Sequence, residues 1–280
     1  MQPPIVITMD TKPDEYSFRF LKTLTKNGWA FRLIGSDTEW KSFFDRIILY
    51  RKEIATLDPN RLCVVSDCRD VLCMRSSERF MEAFITFKSN LIVSAELLCG
   101  GYTDPKYRQH ELTKYNCEPL YQYWEAKGYA LDNLPPRKYV NAGLIAGYAK
   151  DILKMYDWMI AKGIEAREKD DQVLMGMYLN AHPAEVTVDT EASLMHTSTF
   201  ACTGGYLNKE QAKDSPTIAQ ILGHSSFFLH LPGLSAKKGN YIVYNMVATL
   251  IDAGFCHKNL LDAYGVKEEY PYGWYQEDHI

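Results

Sequence analysis

Residues 62–74 read LCVVSDCRDVLCM, an apolar run that two aspartates, Asp67 and Asp70, interrupt. An apolar stretch of this kind predicts a strand that is buried on both faces. An ionised carboxylate inside such a strand would be costly unless a partner compensated its charge. We therefore expect the strand to end before the two aspartates, which then lie on a short turn at its carboxyl end.

The segments on both sides of this strand alternate between strand-like and helix-like patterns. Strands are predicted over residues 4–10, 29–36 and 90–96, and helices over residues 15–28, 41–57 and 78–87. This alternation predicts an α/β fold with a mostly parallel sheet flanked by helices. In such sheets ligands bind beyond the carboxyl ends of the strands, where Asp10, Asp67 and Glu96 are all expected.

Residues 100–137 interrupt the alternation with glycines, prolines and tyrosines. We interpret them as an excursion, helical near residues 118–127, that forms a wall or lid over the site. Beyond it we expect a strand-like segment at 138–149, helices at 151–163 and 170–180, and strands at 186–189 and 227–231. Without an internal repeat or a linker, residues 1–266 are interpreted as one elaborated domain. Its nucleotide-binding half covers residues 1–100, its acceptor half residues 101–266, and an aromatic tail residues 267–280.

Composition and charge exclude several classes of function. The net charge of -4 gives no support for a nucleic-acid or membrane-surface binder. No window approaches the roughly 18 apolar residues of a membrane span, and the amino terminus does not resemble a signal peptide. The seven cysteines have no CxxC spacing, which favours free thiols in a reducing compartment. We therefore expect a cytoplasmic protein without a membrane span, whose oligomeric state the sequence leaves open.

The two aspartates of the predicted turn suit a divalent cation. Oxygen ligands bind hard ions such as Mg2+ and Mn2+, and a bound cation would also neutralise a diphosphate leaving group. The same DxxD spacing also fits a helix cap followed by a surface acid. The motif by itself leaves both interpretations open.

Five separated segments occur in order along the chain: SDCRD, SAELLCG, VNAGLIAG, KDDQVL and LHLPG. Their order and context resemble the glycosyltransferase domain of the lysyl hydroxylases that also glycosylate collagen. The resemblance runs from about Ile5 to about Leu250, and a more distant one links the chain to glycogenin-like sugar transferases. It implies a GT-A type, Rossmann-like fold, a Mn2+ ion with Mg2+ as the alternative, and a UDP-sugar donor.

The same resemblance implies metal ligands at Asp67, Asp70 and His230. An imidazole beside two carboxylates suits Mn2+, which accepts nitrogen as well as oxygen. The alternative for His230 is a core histidine at the end of an apolar strand. After SAE the family commonly has a cysteine followed by a tryptophan, whereas Cys99 is followed here by Gly100. An aromatic of the excursion is expected to replace that tryptophan, and the candidates are Tyr102, Tyr107 and Trp124.

Donor binding is implied for a further set of residues: Thr8, Asp10, Trp40, Arg46, Asn141, Gly143, Gly233 and Lys237. Trp40 is expected to stack on uracil and Arg46 to reach phosphate. Lys237, with Lys238 as its substitute, would offset diphosphate charge. The alternatives are a partly buried aromatic side chain for Trp40 and a solvated surface amine for each lysine.

The same resemblance implies that the KDDQ segment lies nearest to the chemistry. Asp170 or Asp171 would act as a base on the acceptor hydroxyl or stabilise developing positive charge. Adjacent residues on a helix point in different directions, so the two acids are not expected to do the same job. Stabilisation of the helix amino terminus is the alternative for either one.

The resemblance implies transfer of glucose or galactose to a hydroxyl-bearing glycan or protein. A UDP-sugar hydrolase and a catalytically silent carbohydrate-binding or assembly module are the alternatives, and the stereochemical outcome stays open. No His-x-Asp pair is present in the 280 residues, so lysyl hydroxylation is not expected.

Overall fold

The computed structural model describes residues 2–96, 120–197 and 226–232, which form one mixed sheet with helices. The strands are β1 (Ile5–Met9), β2 (Ala30–Ile34), β3 (Leu62–Ser66), β4 (Val71–Cys73), β5 (Leu91–Glu96), β6 (Tyr139–Tyr148), β7 (Thr187–Asp189), β8 (Met195–Thr197) and β9 (Phe228–His230). The helices are α1 (Glu15–Lys26), α2 (Phe43–Ile54), α3 (Phe80–Ile85), α4 (Tyr121–Ala126), α5 (Ala149–Ala166) and α6 (Asp171–Ala181).

The sheet has the strand order β2-β1-β3-β6-β5-β8-β9-β4, and β7 pairs with β5 outside this path. Five pairs are parallel: β1 with β2, β1 with β3, β5 with β7, β5 with β8, and β8 with β9. Strand β6 runs antiparallel to both of its neighbours, and β4 runs antiparallel to β9. The predicted α/β fold with a mostly parallel sheet is confirmed, although its centre holds one reversed strand.

Two hydrophobic cores cover opposite faces of the sheet. Side chains alternate between the faces along each strand, so Ile5 and Ile7 lie in one core while Val6 lies in the other. Cys63 and Val64 divide between the two cores in the same way. The apolar runs of the sequence are therefore strands buried on both faces, and polar side chains collect where the strands end.

The turn inside LCVVSDCRDVLCM separates two strands. The apolar run ends at Ser66, as expected, and the residues after Asp70 form the short strand β4, which pairs with β9. The pattern did not predict β4, because three apolar residues are too few to show a period. The two aspartates thus lie between two strands of the same sheet.

The predicted helices are present with shifted ends. The helix expected to stop at Gly163 continues to Ala166. It ends there because the next residue, Arg167, adopts the left-handed conformation with a φ of 55°. The segment expected to be helical from residue 78 begins as a 3-10 turn, Ser77–Arg79, before α3. Within the described ranges we find no helix with the length and apolar character needed to span a bilayer.

Candidate functional site

The acidic turn at 67–70 lies where the ends of β3 and β9 meet the middle of β6. The Asp67 amide donates to the carbonyl of Gly143 at 2.8 Å, and the Leu231 amide donates to the carbonyl of Asp70 at 2.8 Å. In the antiparallel pair of β4 and β9, Val71 is the partner of His230. The main chain therefore brings His230 to the acidic turn, although the two are far apart in the sequence.

Asp67, Asp70 and His230 form a cluster that fits a divalent cation. His230 Nε2 lies 3.5 Å from Asp67 Oδ2 and 3.5 Å from Asp70 Oδ1, and one ligand atom from each residue lies within 4.8 Å of the others. The imidazole is 1% exposed, and neither of its nitrogens has a hydrogen-bond partner among the described residues. An imidazole nitrogen that faces two carboxylates in this way could serve with them as a ligand of a divalent cation.

The charges around His230 favour its protonated form. Burial of the ring lowers its pKa, but the carboxylates of Asp70 and Asp67 outweigh that effect and raise the pKa of His230 above its ordinary value. The site is therefore strongly attractive to positive charge.

Gly143 allows the close approach of β6 to this cluster. A Cβ atom at this position would lie 2.2 Å from Cε1 of His230 and 2.8 Å from Oδ2 of Asp67. Both distances are far below ordinary van der Waals contact, so a side chain here would displace His230 or Asp67. The sequence related Gly143 to the donor sugar, and the structure adds a separate constraint: His230 and Asp67 leave no room for a side chain at this position.

Arg46, in the first turn of α2, contacts two of the acids of the site. Its Nη1 donates to Oδ1 of Asp67, and its Nε and Nη2 both donate to Oδ2 of Asp171, the Nε bond measuring 2.7 Å. Burial lowers the pKa of Arg46, but the charges of Asp171 and Asp67 overcome this and raise it, so the guanidinium stays charged. In this structure Arg46 faces carboxylates, and its expected contact with phosphate stays a prediction.

The structure separates the two acids of KDDQ. Asp170 is the N-cap of α6, and its Oδ1 accepts from the amides of Gln172 at 2.9 Å and Val173 at 3.1 Å. Asp171 is buried, and that burial raises the pKa of Asp171 to about 6 although Arg46 opposes the shift. Asp170 has the helix-capping geometry that the sequence offered as an alternative. Asp171 instead forms an ion pair with Arg46, which also contacts Asp67.

Thr8 and Asp10 hold the acidic turn against β1 and α1. The hydroxyl of Thr8 donates to the carbonyls of Ser66 at 2.9 Å and Asp67 at 3.2 Å. The buried carboxylate of Asp10 accepts from Arg69, which belongs to the acidic turn, with Nε at 2.8 Å. These contacts fix the position of the turn. The sequence did not reveal the role of Arg69, because its partner, Asp10, lies in another loop.

A polar network connects β5, β6 and α6 beside the cluster. Asn141 accepts from the amide of Gly143 at 2.9 Å, and its Nδ2 lies 3.4 Å from Oε2 of buried Glu96. Gln172 Nε2 donates to Oε1 of the same Glu96 at 3.1 Å, and the Ala142 amide donates back to Gln172 at 3.3 Å. Gln172 was not among the predicted site residues, although it follows the acids of KDDQ directly.

Two of the aromatic candidates can be placed relative to the site. Trp40 is 45% exposed and packs edge to face on Phe43, with ring centroids 5.3 Å apart. The Phe43 ring in turn lies under the guanidinium of Arg46, at 5.1 Å. Trp124 is buried in α4 and hydrogen-bonds to Lys138, so its ring is not available as a replacement for the missing tryptophan. Tyr102, Tyr107, Gly233, Lys237 and Lys238 lie outside the described residues.

Comparisons with known proteins support the fold. No protein-family model matches the chain, and no curated protein sequence matches it. Among solved structures it is similar to the crystal structure of a glycosyltransferase involved in the glycosylation of the major capsid of PBCV-1. The TM-score is 0.51 at 13% identity, and the match covers 86% of this chain and 99% of the other. At that identity the likeness concerns the fold alone. The chain therefore has a Rossmann-like α/β fold of the glycosyltransferase type, with an Asp-Asp-His group able to hold a metal ion at the edge of its sheet.

Proposed function

We propose that this protein is a metal-dependent glycosyltransferase that moves a hexose, glucose or galactose, from a UDP-sugar to a hydroxyl group. The observation that carries the proposal is the Asp67, Asp70 and His230 cluster, which lies at the sheet edge of a glycosyltransferase-type fold. The solved neighbour acts in glycosylation of a viral capsid, which supports glycosyl transfer as the reaction class. The acceptor is proposed to be a glycan or protein hydroxyl.

Asp67, Asp70 and His230 would hold the ion, with Mn2+ favoured over Mg2+ because one ligand is an imidazole. A bound divalent cation supplies the Lewis acid that stabilises the charge on a departing nucleoside diphosphate. Gly143 leaves the space in which the ligands converge. Gly233 and Lys237, which follow His230 in the sequence, are proposed to bind the diphosphate.

Asp171 is the acid that we assign to the reacting hydroxyl. Its carboxylate is buried, and a pKa of about 6 suits a group that accepts a proton near neutral pH. Asp170 is assigned to the N-cap of α6, where its side chain accepts two backbone amides. Of the other donor contacts, we propose Trp40 for uracil, since its ring is half exposed and packs on Phe43, whose own ring lies beside Arg46.

Calorimetry of UDP binding tests the first half of the proposal. We expect UDP to bind in the presence of Mn2+ and to lose that binding when EDTA removes the ion. Asp70→Asn should abolish the Mn2+-dependent binding of UDP, because it replaces a charged carboxylate with a neutral amide. Asp157→Asn is the matched control, since Asp157 is 54% exposed on α5 and pairs with a surface arginine. Equal, negligible heats with and without Mn2+ would contradict the proposal.

A screen of sugar nucleotides for Mn2+-dependent turnover tests the second half. The best donor should react faster when a suitable hydroxyl acceptor is supplied, and the glycosylated product should appear in equal amount to the released UDP. Free sugar in equal amount to UDP, unaffected by every acceptor tried, would instead indicate a UDP-sugar hydrolase. Donor binding without any turnover would indicate a binding module.

A further inference from the structure

The guanidinium of Arg46 joins two carboxylates that come from different parts of the chain. Its Nη1 edge meets Asp67, at the end of β3, while its Nε and Nη2 edge meets Asp171, at the start of α6. The arginine side chain is 12% exposed and the side chain of Asp171 is 10% exposed, so water competes weakly for these bonds. Arg46 therefore forms a nearly buried salt bridge with two carboxylates inside the site.

The bridge leaves the two oxygens of Asp67 with different surroundings. Oδ1 accepts from Arg46, whereas Oδ2 is the oxygen that lies 3.5 Å from His230 Nε2. A carboxylate held by one oxygen has little rotational freedom about its last bond, so the other oxygen is aimed in a fixed direction. That direction is toward the candidate metal position.

We infer that Arg46 is a positioning residue of this site: it presents Asp67 Oδ2 to the metal ion and holds Asp171 at a fixed place beside that ion. The inference rests on the proposed function and deepens it, because it links the metal ligands to the acid assigned to the acceptor hydroxyl. Neither carboxylate has to reorient when donor and metal bind.

The geometry requires arginine rather than any cation. A guanidinium is planar and offers donors on two edges, so it serves two carboxylates at once. A lysine ammonium at the same place is a point charge that can reach one of them well. The neighbouring ring of Phe43, 5.1 Å from the guanidinium carbon, also packs against a flat cation better than against an ammonium.

Metal affinity in the absence of any donor or acceptor tests the inference without relying on turnover. Free Mn2+ is followed by its electron paramagnetic resonance signal in titrations of the full chain and its variants. We expect Arg46→Ala to weaken Mn2+ binding by about 10- to 100-fold, the usual effect of removing a group that orients a metal ligand. Arg46→Lys should lie between this variant and the unsubstituted protein.

The control is Arg51→Ala, on the same helix. Arg51 pairs with Asp157 at the surface, where both side chains are about half exposed, and an exposed pair contributes little. This variant should bind Mn2+ like the unsubstituted protein. Guanidinium chloride at non-denaturing, millimolar concentration should restore part of the Mn2+ affinity of Arg46→Ala, and it should not restore that of Asp70→Asn, which lacks a ligand.

The outcomes separate this inference from the proposed function. If the unsubstituted protein binds no Mn2+, both are wrong. If it binds Mn2+ and folded Arg46→Ala binds equally well or more tightly, only the role of Arg46 is refuted. If Arg46→Ala does not fold, Arg46→Lys decides, and unchanged affinity in that variant refutes the inference. Weakened binding that guanidinium leaves unrestored would also count against a positioning role.

Discussion

Gly143→Ala is the substitution that tests the geometry of the proposed metal centre most directly. The new Cβ would lie 2.2 Å from Cε1 of His230, whereas non-bonded carbons rest at about 3.5 Å, so ring and backbone must separate by about 1.3 Å. The ring is 1% exposed, and β9, which carries it, is paired on both sides by β8 and β4. The displacement cannot be absorbed by swinging the ring into solvent.

Metal coordination tolerates much less movement than this. Ligand distances have to stay within about 0.2 Å of their ideal values, so a shift several times larger removes His230 from the ligand set or moves Asp67 with it. We expect Mn2+ affinity to fall by at least about 100-fold, or about 2.7 kcal/mol. Overpacking should also lower the free energy of unfolding by about 1 to 3 kcal/mol.

Mn2+ titration together with urea unfolding of the metal-free protein measures both effects. The matched control is Gly176→Ala in α6, where the nearest atom to a new Cβ is Leu120 Cδ2 at 3.4 Å, an ordinary contact. Alanine at this helical position should leave Mn2+ affinity unchanged and stabilise the fold by up to about 1 kcal/mol. A folded Gly143→Ala variant with unaltered Mn2+ affinity would show that His230 and Asp67 do not share an ion.

Four other substitutions have defined expectations. Trp40→Ala should weaken UDP binding by roughly 1 to 3 kcal/mol in calorimetry while Mn2+ affinity stays constant, because base stacking is lost; unchanged UDP affinity would remove Trp40 from the donor site. Asp170→Ala should lower the free energy of unfolding by about 1 kcal/mol, because the N-cap of α6 is lost. Asp171→Asn should abolish turnover but keep UDP binding. The reverse result would exchange the roles of the two acids. Burial raises the pKa of Asp10, but hydrogen bonds from an arginine and a serine outweigh burial and lower that pKa below 3.8. The ionised carboxylate therefore stabilises the fold above pH 3.8. This stabilisation is lost as the pH falls through the lowered pKa. Asp10→Asn should therefore flatten the acid side of the stability curve from urea unfolding, and an unaltered curve would mean that Asp10 gains nothing from its partners.

The sequence predicted the fold where local pattern decides it. The apolar run before Asp67 identified β3 and its end, because burial on both faces leaves no place for an unpaired carboxylate. The reversal of β6 was not predicted, since the pattern of apolar residues in VNAGLIAG carries no information about strand direction. The short strand β4 was missed for the related reason that its pairing with β9, rather than its own sequence, makes it a strand.

The candidate site was predictable only in part. The structure brings together Asp67, Asp70 and His230, but it was the resemblance that named His230, because nothing in LHLPG distinguishes a ligand from a core histidine. The contact between Arg46 and Asp171 spans 125 positions of the chain, and no local pattern contains it. Long-range charge pairs of this kind depend on how helices pack on the sheet, which spacing along the sequence does not encode.

The position of β9 between β8 and β4 has a consequence for assembly. Within the described part of the chain, β4 has no strand partner other than β9, and His230 is the last residue of β9. The full proposed ligand set, Asp67, Asp70 and His230, therefore forms only after this distant segment has docked on β4. Added Mn2+ should accordingly raise the melting temperature, because only the folded protein, with β9 paired to β4, offers the complete ligand set.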